Sequence, residues 1–479
     1  MSKYESRLFI NGDLVEPSKG NTFPLLNPAT NELVANIPIA EEDDIDKAVA
    51  AAEKAQPGWA RLPARKRAAI IRKFAALMDE NKHKLSELDS ICMGKPLHDG
   101  LGDVQEACDI TNYFAGLVEI ADGETSLNSP DSLNISMRQP FGVVASIIPW
   151  NFPTMIWCHD VVPASGAGNA VILKTSEKAP LSGVLLAQLA YQAGFPPGII
   201  NVVSGPGQTG ALLSAHMRIR KISFTGSTGT GRAIMQAAAK SNLKTVSLEL
   251  GGKSPLLVFD DADLEATAAA AVKSVTFNSG QVCTASSRLY VQKTAADQFK
   301  RLVSQLMLNL RLGDPRTTNT DMGPQADSKQ AAAVARYLEA GLQDGQALVG
   351  GKRALDAGEN FIHPTIFSNI PDKSKLDMEE VFGPVLVLHE FDTEEEAVRR
   401  ANDTEYGLYA SVFTKDVSRA LRVARALEAG NVGVNCTSPD GAYELPFGGW
   451  KASGIGSQKG SSAILEWTQG KSVYINHSA

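Results

Sequence analysis

Between residues 142 and 250, short β-branched runs alternate with helical stretches, and this alternation constrains the fold more than any other feature of the sequence. The runs are GVVASII, NAVILK, GIINVV, KISF and TVSLEL. Segments of helical character, among them LSGVLLAQLAYQA, TGALLSA and GRAIMQAAA, stand between them. Strands that alternate with helices predict a parallel, doubly wound α/β sheet. Such sheets bind dinucleotides at the carboxyl ends of their strands.

A second alternation of the same kind begins after residue 254. It contains the runs SPLLVF, RLYVQ, PVLVLHE and ASVFT, with the helical segment ADQFKRLVSQLMLNL between them. This pattern predicts a second α/β domain. A chain of 479 residues is long enough for two large domains and a small third element. Residues 41–56 and the segment after Pro63 have the apolar spacing of amphipathic helices, which carry no chemistry of their own.

Charge and composition argue against several classes of protein. The net charge is -7, with no basic stripe, which disfavours a nucleic-acid partner. No apolar run reaches the roughly 18 residues of a membrane-spanning helix, and the N-terminal residues do not resemble a secretory signal. We therefore expect no membrane partner and a cytoplasmic location.

Neither the cysteines nor the histidines form a recognisable metal motif. His389 and Glu390 begin a string that resembles a zinc-protease motif, but Thr393 stands where the second histidine is needed. The cysteines are widely spaced and include no CxxC pair, so we expect reduced thiols and no metal site. These cysteines are Cys92, Cys108, Cys158, Cys283 and Cys436.

Three strings place reactive side chains where strands or helices end. Cys283 stands among small residues in GQVCTA, Glu249 ends an apolar strand in LELGGK, and Asn151 lies between two prolines in PWNFP. Taken singly, a buried structural thiol, a cap or surface carboxylate and a turn amide are equally ordinary interpretations. Together the three supply a nucleophile, a general base and an amide donor. These are the parts that acyl chemistry through a thioester needs.

These strings, in this order, resemble those of the aldehyde dehydrogenase superfamily. The similarity runs over nearly the whole chain, from NPAT at Asn27 to PFGGWKASGIG at Pro446. The resemblance implies that Cys283 is the nucleophile, Glu249 the general base and Asn151 the oxyanion-binding amide. It implies NAD(P)+-dependent oxidation of an aldehyde to a carboxylic acid through a thiohemiacetal and a thioester, which water activated by Glu249 hydrolyses.

The resemblance also assigns residues to the cofactor. Lys174 would contact the ribose hydroxyls and Glu177 would accept from the 2′-OH, so NAD is the expected cofactor and NADP the alternative. Thr175 stands where the family usually has proline, a departure that bears on the loop and on cofactor choice. The expected cofactor residues are Trp150, Lys174, Glu177, Gly226, Ser227, Glu380 and Phe382.

Without the resemblance, the same segments have simpler interpretations. The stretch from Lys174 to Glu177 and the pair Glu379-Glu380 are more typical of solvated helix ends. The glycine-rich turn FTGSTGTG is neither a GxGxxG fingerprint nor a Walker loop, because Arg232 and Ala233 stand where the Walker residues belong. It is as typical of an ordinary helix start as of a pyrophosphate site.

Positions after Asn151 and beside Cys283 should, by resemblance, line the substrate tunnel. They are apolar or aromatic with one imidazole, and no fixed lysine or arginine is evident in these segments. Asp160 and Ser165 depart from the lysine and leucine usual in the family, and neither adds a cation. Because a carboxylate-bearing aldehyde would need a cation to offset its desolvation, we expect a neutral apolar or aromatic aldehyde. The expected substrate residues are Phe152, Ile156, His159, Val282, Thr284 and Phe447.

The architecture implied by the resemblance is α/β, with a Rossmann-like cofactor domain, an α/β catalytic domain and a small oligomerisation β element. The expected boundaries are 1–121 with 141–250 for the cofactor domain and 251–465 for the catalytic domain. The oligomerisation element comprises 122–140 and 466–479, with the C-terminal strand GKSVYIN paired to the earlier segment. A homodimer or homotetramer is expected.

Other functions stay open on the sequence. A cofactor-free cysteine hydrolase would need a histidine partner for Cys283, and no such signature is readable. Members of the superfamily that transfer the acyl group to CoA lack the hydrolytic glutamate, so Glu249 favours release to water. A catalytically idle structural member and a semialdehyde or betaine-aldehyde-type dehydrogenase are the remaining alternatives.

Overall fold

The structure is a computed structural model and describes residues 4–120 and 122–476. Its strands, in chain order, are β1 (Leu8–Ile10), β2 (Asp13–Val15), β3 (Thr22–Leu26), β4 (Leu33–Pro38), β5 (Thr125–Ser126), β6 (Ser132–Pro140), β7 (Val143–Ile147), β8 (Ala170–Lys174), β9 (Ile200–Val203), β10 (Lys221–Thr225), β11 (Thr245–Glu249), β12 (Pro255–Val258), β13 (Arg288–Gln292), β14 (Gln346–Val349), β15 (Thr365–Ser368), β16 (Val385–Phe391), β17 (Tyr406–Gly407), β18 (Tyr409–Phe413), β19 (Asn431–Val434), β20 (Trp450–Lys451), β21 (Gly454–Ile455) and β22 (Thr468–Asn476).

The α-helices lie between these strands and cover both large sheets. Within the part of the chain that the structure describes, none of these helices combines the length and the apolar composition needed to span a membrane. The helices are α1 (Glu42–Arg61), α2 (Ala64–Glu80), α3 (Lys82–Met93), α4 (Leu97–Leu117), α5 (Pro153–Gly166), α6 (Leu181–Ala193), α7 (Gly207–Ala215), α8 (Thr228–Lys240), α9 (Leu264–Thr276), α10 (Lys293–Leu308), α11 (Ser328–Asp344), α12 (Lys375–Met378), α13 (Glu394–Asn402), α14 (Val417–Ala426) and α15 (Ala463–Glu466).

The first lobe is built on an eight-stranded sheet in the order β2-β1-β9-β8-β7-β10-β11-β21. The strands from β7 to β11 pair in parallel, and β7, β8 and β9 are buried along their whole length. This confirms the predicted doubly wound sheet. The chain leaves β7 toward β8 and later returns to its other side at β10, so the switch point of the sheet lies between β7 and β10.

The second lobe is built on a seven-stranded sheet in the order β14-β15-β16-β13-β12-β18-β19. All its neighbouring strands are parallel except the edge pair β14 and β15. The predicted second α/β domain is therefore present. Helix α10 buries Phe299, Val303 and Met307 against this sheet, at the spacing of an amphipathic face.

Residues 450–455 join the two lobes. Strand β20 pairs with β17 next to the second lobe, and β21 pairs antiparallel with β11 at the edge of the first sheet. Between them, the Ser453 hydroxyl donates to the Gly251 carbonyl at 2.7 Å and accepts from the Gly407 N–H at 2.9 Å. Strand β20 thus lies in a two-stranded sheet with β17, whereas β21 belongs to the eight-stranded sheet of the first lobe.

A small antiparallel sheet, β22-β6-β5, stands apart from the two large ones. Strand β22 pairs with β6 over nine residues, from Thr468 opposite Pro140 to Asn476 opposite Ser132. Most side chains of β22 are exposed, and those of β6 are exposed or partly buried. The C-terminal residues 477–479 and residue 121, which the sequence boundaries include, lie outside the described residues.

Candidate active site

The loop that carries Cys283 follows a tight turn at the end of α9. Asn278, Ser279 and Gly280 all take positive φ, and a Cβ on Gly280 would lie 2.1 Å from the Gly383 carbonyl carbon. The turn therefore requires glycine at position 280. Cys283 is half-buried at its end. Burial, with the nearby Glu380 and Glu249 carboxyls, raises the pKa of Cys283 to about 12, so its sulfur rests as a thiol.

Asn151 is tied directly to the Cys283 loop. Its Nδ2 donates to the Gln281 carbonyl at 2.9 Å, and the Asn278 Nδ2 donates to the Asn151 carbonyl at 3.0 Å. The Asn151 side chain is buried. A primary amide has two N–H bonds, and only one is used in this contact. The second is a donor that an oxyanion on a Cys283 adduct could accept from.

Glu249 ends β11 and is buried without a hydrogen-bond partner for either carboxyl oxygen among the described residues. Burial first, and the Asp160 carboxyl second, raise its pKa well above the usual range. Both carboxyls line a cavity of about 20 Å³, enough for about one water molecule. A buried carboxyl group with a raised pKa and no partner among the described residues marks a candidate catalytic group. The sequence showed Asp160 only as a departure, because its approach to Glu249 depends on the packing of α5.

The Gly251-Gly252 turn brings Glu380 and Cys283 together. The Gly252 N–H donates to Glu380 Oε1 at 3.1 Å, and a Cβ on Gly251 would lie 2.2 Å from Oε2. A Cβ on Gly252 would lie 2.3 Å from the Cys283 carbonyl oxygen. Only glycine therefore allows both contacts. Burial raises the pKa of Glu380 to about 7.

A cavity of about 440 Å³ opens at the carboxyl ends of β7, β8 and β10. It lies at the switch point of the sheet, where dinucleotides bind in folds of this kind. Ser227 caps α8 by accepting from the Thr230 N–H, and the start of that helix faces the cavity. Five of the seven expected cofactor residues line it, and these are Trp150, Lys174, Glu177, Gly226 and Ser227.

The two other expected cofactor residues stand beside this cavity. The Phe382 ring contacts the Trp150 ring edge-to-face, with centroids 5.3 Å apart. The Glu380 carboxylate accepts a hydrogen bond from the Gly252 N–H. Phe382 and Glu380 therefore lie on the side of the cavity that faces Cys283. The rim supplies an ammonium, a carboxylate and helix N–H groups, and the wall is apolar, which fits the polar and apolar parts of a dinucleotide.

Thr175, in place of the usual proline, lengthens the ladder between β8 and β9. Its N–H, which proline lacks, donates to the Val203 carbonyl at 3.1 Å. Its hydroxyl lies 3.2 Å from the Ser204 hydroxyl. The buried Lys174 Nζ donates to the Thr175 carbonyl at 3.0 Å, and burial lowers the pKa of that lysine. Thr175 thus fixes the loop on which Lys174 depends.

A larger cavity, of about 660 Å³, adjoins the residue after Cys283. Thr284 and Phe447 line it, as do Asn431, Cys436 and Lys459. The other expected substrate residues lie elsewhere. Phe152, Ile156 and Val282 belong to the buried core of the first lobe, and His159 lines the small cavity beside Glu249.

Lys459 is a cation that lies outside the segments on which the neutral-substrate prediction was based. An antiparallel bridge between Phe447 and Gln458 brings Lys459 to the wall of the larger cavity, with its Nζ 5.6 Å from the centroid of the Phe447 ring. Its Nζ also lies 2.8 Å from Glu106 Oε1. The sequence did not indicate this cation because Lys459 is twelve residues from Phe447 along the chain. Only the bridge between Phe447 and Gln458 brings it to the cavity.

Comparison with known proteins gives a consistent result. Residues 14–473 match the model of the aldehyde dehydrogenase family. An aldehyde dehydrogenase of Davidiella tassiana is 42% identical over 478 residues, 99% of this chain and 96% of that protein. A γ-glutamyl-γ-aminobutyraldehyde dehydrogenase from Burkholderia cenocepacia is 41% identical, with a TM-score of 0.97 and coverage of 99% and 97%. An indole-3-acetaldehyde dehydrogenase complexed with NAD+ is 40% identical, with the same TM-score and coverage.

Proposed function

Because this chain belongs to the aldehyde dehydrogenase family, we propose that it oxidises an aldehyde to the carboxylic acid through a thioester on Cys283. The observation that carries the proposal is the convergence of three groups on one loop. Asn151 bonds to that loop, and the Gly251-Gly252 turn lies against the Cys283 carbonyl. The Glu249 carboxyl, which has no hydrogen-bond partner among the described residues, is near enough to raise the pKa of Cys283. The test is to incubate the protein with NAD+ and a panel of aldehydes, with and without CoA, and to follow the absorbance of NADH.

Each outcome of that assay separates one alternative. NADH formation without CoA supports oxidation with hydrolysis. A strict need for CoA would identify acyl transfer to CoA, and hydrolysis of an ester without any NADH would identify a hydrolase. No reaction with any aldehyde would favour a catalytically idle member.

The residues divide the chemistry between addition and hydrolysis. Cys283 must first lose its proton to water, because the thiolate is the nucleophile that adds to the aldehyde carbon. The adduct oxygen then accepts from the second Asn151 N–H and from the Cys283 backbone N–H. A bound nicotinamide dinucleotide supplies the hydride acceptor. Glu249 finally takes a proton from the water that attacks the thioester, which releases the acid and returns the thiolate.

We expect the protein to prefer NAD+ over NADP+ by about tenfold or more in kcat/KM. Glu177 lies exposed at the rim of the 440 Å³ cavity with Lys174, and a carboxylate there accepts from a ribose hydroxyl but repels a 2′-phosphate. Glu177→Gln keeps the shape of the side chain and removes its charge, so it should lower the ratio of kcat/KM for NAD+ to that for NADP+. The measurement is kcat/KM for both cofactors at one aldehyde concentration. Equal values in the unaltered protein would refute the assignment.

We expect a neutral apolar or aromatic aldehyde to be the better substrate. Apolar side chains, among them Val432, Leu445 and Phe447, line the 660 Å³ cavity, and its one lysine is paired with Glu106. The similar protein named for indole-3-acetaldehyde supports an aromatic substrate, whereas the one named for γ-glutamyl-γ-aminobutyraldehyde supports a charged one. The alternatives are therefore a semialdehyde or a betaine-aldehyde-type substrate.

The comparison of kcat/KM for benzaldehyde or a medium-chain alkanal with that for succinic semialdehyde decides between them. Lys459→Met is the matched variant. If Glu106 neutralises Lys459, the variant should change kcat/KM for both substrates by less than about threefold, because a lysine already paired with a carboxylate adds little net charge to the cavity. A clear preference for the semialdehyde that Lys459→Met abolishes would overturn the neutral-substrate proposal and make Lys459 its anchor.

We further propose a homodimer or homotetramer in the cytoplasm. Strands β6 and β22 expose Leu133, Met137, Tyr474 and Ile475 on the small sheet, an apolar set that a second copy could cover. The cysteines are all free thiols, as expected in a reducing compartment.

A further inference from the structure

A fully buried lysine lies behind the two loops that carry Asn151 and Cys283. Lys95 follows α3, and its side chain has no exposed surface. We propose that Lys95 is a positioning residue, which clamps Phe152 and Phe277 and so holds the Asn151 amide against the Cys283 loop. This inference rests on the proposed function, because it concerns the geometry of that reaction.

The contacts of the ammonium group define the clamp. Lys95 Nζ forms an ion pair with Asp103 and lies 3.8 Å from the centroid of the Phe152 ring. It lies 5.9 Å from the centroid of the Phe277 ring. The two rings stack on each other, with centroids 6.1 Å apart and an interplanar angle of 26°. One cation therefore attracts both rings through their π faces.

Each ring is covalently next to a residue of the site. Phe152 follows Asn151, and Phe277 precedes Asn278, whose amide donates to the Asn151 carbonyl. The Asn151 amide donates in turn to Gln281, two residues before Cys283. A shift of either ring would therefore be transmitted over one residue to the hydrogen bonds that aim the Asn151 amide.

The surroundings show why this position holds a cation and not an apolar side chain. Three carboxyls face the ammonium from α3 and α4: Asp89, Asp99 and Asp103. Burial raises the pKa of each, and Lys95 acts in the opposite direction on all three. Removing the cation would leave the buried Asp89 and Asp103 carboxyls without this compensating charge, and the pocket behind Phe152 would rearrange.

The test is a double-mutant cycle on the step that forms NADH in a single turnover. Lys95→Met in the otherwise unaltered protein should slow that step by about 10²-fold, the loss expected when a reacting geometry shifts by about 1 Å. The Kd for NAD+ should stay within about twofold. When Lys95→Met is added to Asn151→Ala, it should slow single-turnover NADH formation by less than about threefold relative to Asn151→Ala alone. The amide that Lys95 positions is already absent in that protein.

A merely structural role for Lys95 predicts a different result. If Lys95→Met causes the same fold loss in both backgrounds, the clamp does not act through Asn151 and the inference is overturned. Lys244→Met removes another buried ammonium, one that bonds to the Ser214 carbonyl and the Ser241 hydroxyl. It serves as the control for general destabilisation, and its rate should match that of the unaltered protein.

A second variant covers the case in which Lys95→Met does not fold. Phe277→Leu removes one ring of the clamp and leaves the ion pair with Asp103 in place. It should slow NADH formation by about tenfold, and this loss should again vanish in the Asn151→Ala background. An additive loss would overturn the clamp. A protein that forms no NADH from any aldehyde before mutation would instead contradict the proposed function, so the two failures are distinguishable.

Discussion

Cys283→Ala should reduce aldehyde oxidation to the background rate while NAD+ still binds. In the proposed mechanism the hydride step requires a tetrahedral adduct on the Cys283 sulfur, and alanine cannot form one. The 440 Å³ cavity at the switch point does not include Cys283, so the affinity for the dinucleotide should stay within about twofold. The measurements are NADH formation with a saturating aldehyde and NAD+ binding by calorimetry.

The other cysteines provide controls for this result. Cys92, Cys108 and Cys158 are buried, whereas Cys283 is partly exposed, so an aldehyde could reach Cys283 but not these three thiols. Cys108→Ala is the matched control and should retain full turnover. Should Cys283→Ala keep its activity, the nucleophile would have to be reassigned, and Cys436, the other partly exposed thiol, would be examined first.

Glu249→Gln should separate acylation from hydrolysis. The glutamine keeps the volume of the glutamate but cannot take a proton from water, so thioester hydrolysis should slow by about 10²-fold or more. Adduct formation does not need this base, so a pre-steady-state burst of NADH should survive in the variant. Stopped-flow absorbance measures the burst and the steady rate in one experiment.

The buried position of Glu249 also sets the pH dependence of hydrolysis. Burial and Asp160 raise the pKa of Glu249, and the base acts only when deprotonated, so the steady rate should rise with pH through that pKa. Glu249→Gln should abolish this rise of the steady rate with pH. Glu466 is a partly exposed carboxyl on the same small cavity, and Glu466→Gln should leave the rise unchanged. Equal loss of burst and turnover in Glu249→Gln would assign Glu249 a role in activating the thiol.

The central strands could be predicted from the sequence because their own side chains specify them. The runs that became β7, β8 and β9 are buried throughout, and a buried parallel strand is a continuous apolar stretch that a local pattern reveals. Strand β21 could not be found this way. It is two residues long, and its partner β11 lies some two hundred residues earlier in the chain, so only the folded structure determines the pairing.

The candidate active site could likewise be predicted only in part from the sequence. Asn151, Glu249 and Cys283 stand in recognisable strings, so the resemblance was enough to predict their roles. The groups that surround them, among them Asp160 beside Glu249, Lys459 on the larger cavity and Lys95 behind Phe152, come from helices and loops distant in sequence. Burial, charge neighbours and ring contacts are properties of the packed structure, and no local pattern encodes them.

The segment at residues 450–455 constrains how the protein can move during turnover. Its hydrogen bonds reach both lobes through Ser453, and β21 meets β11 at Glu249 itself. A hinge opening of the two lobes would have to break these bonds and would disturb β11 at Glu249. Ligand exchange should therefore proceed by rotation of side chains and loops within a rigid frame, so that Glu249 keeps its place from one turnover to the next.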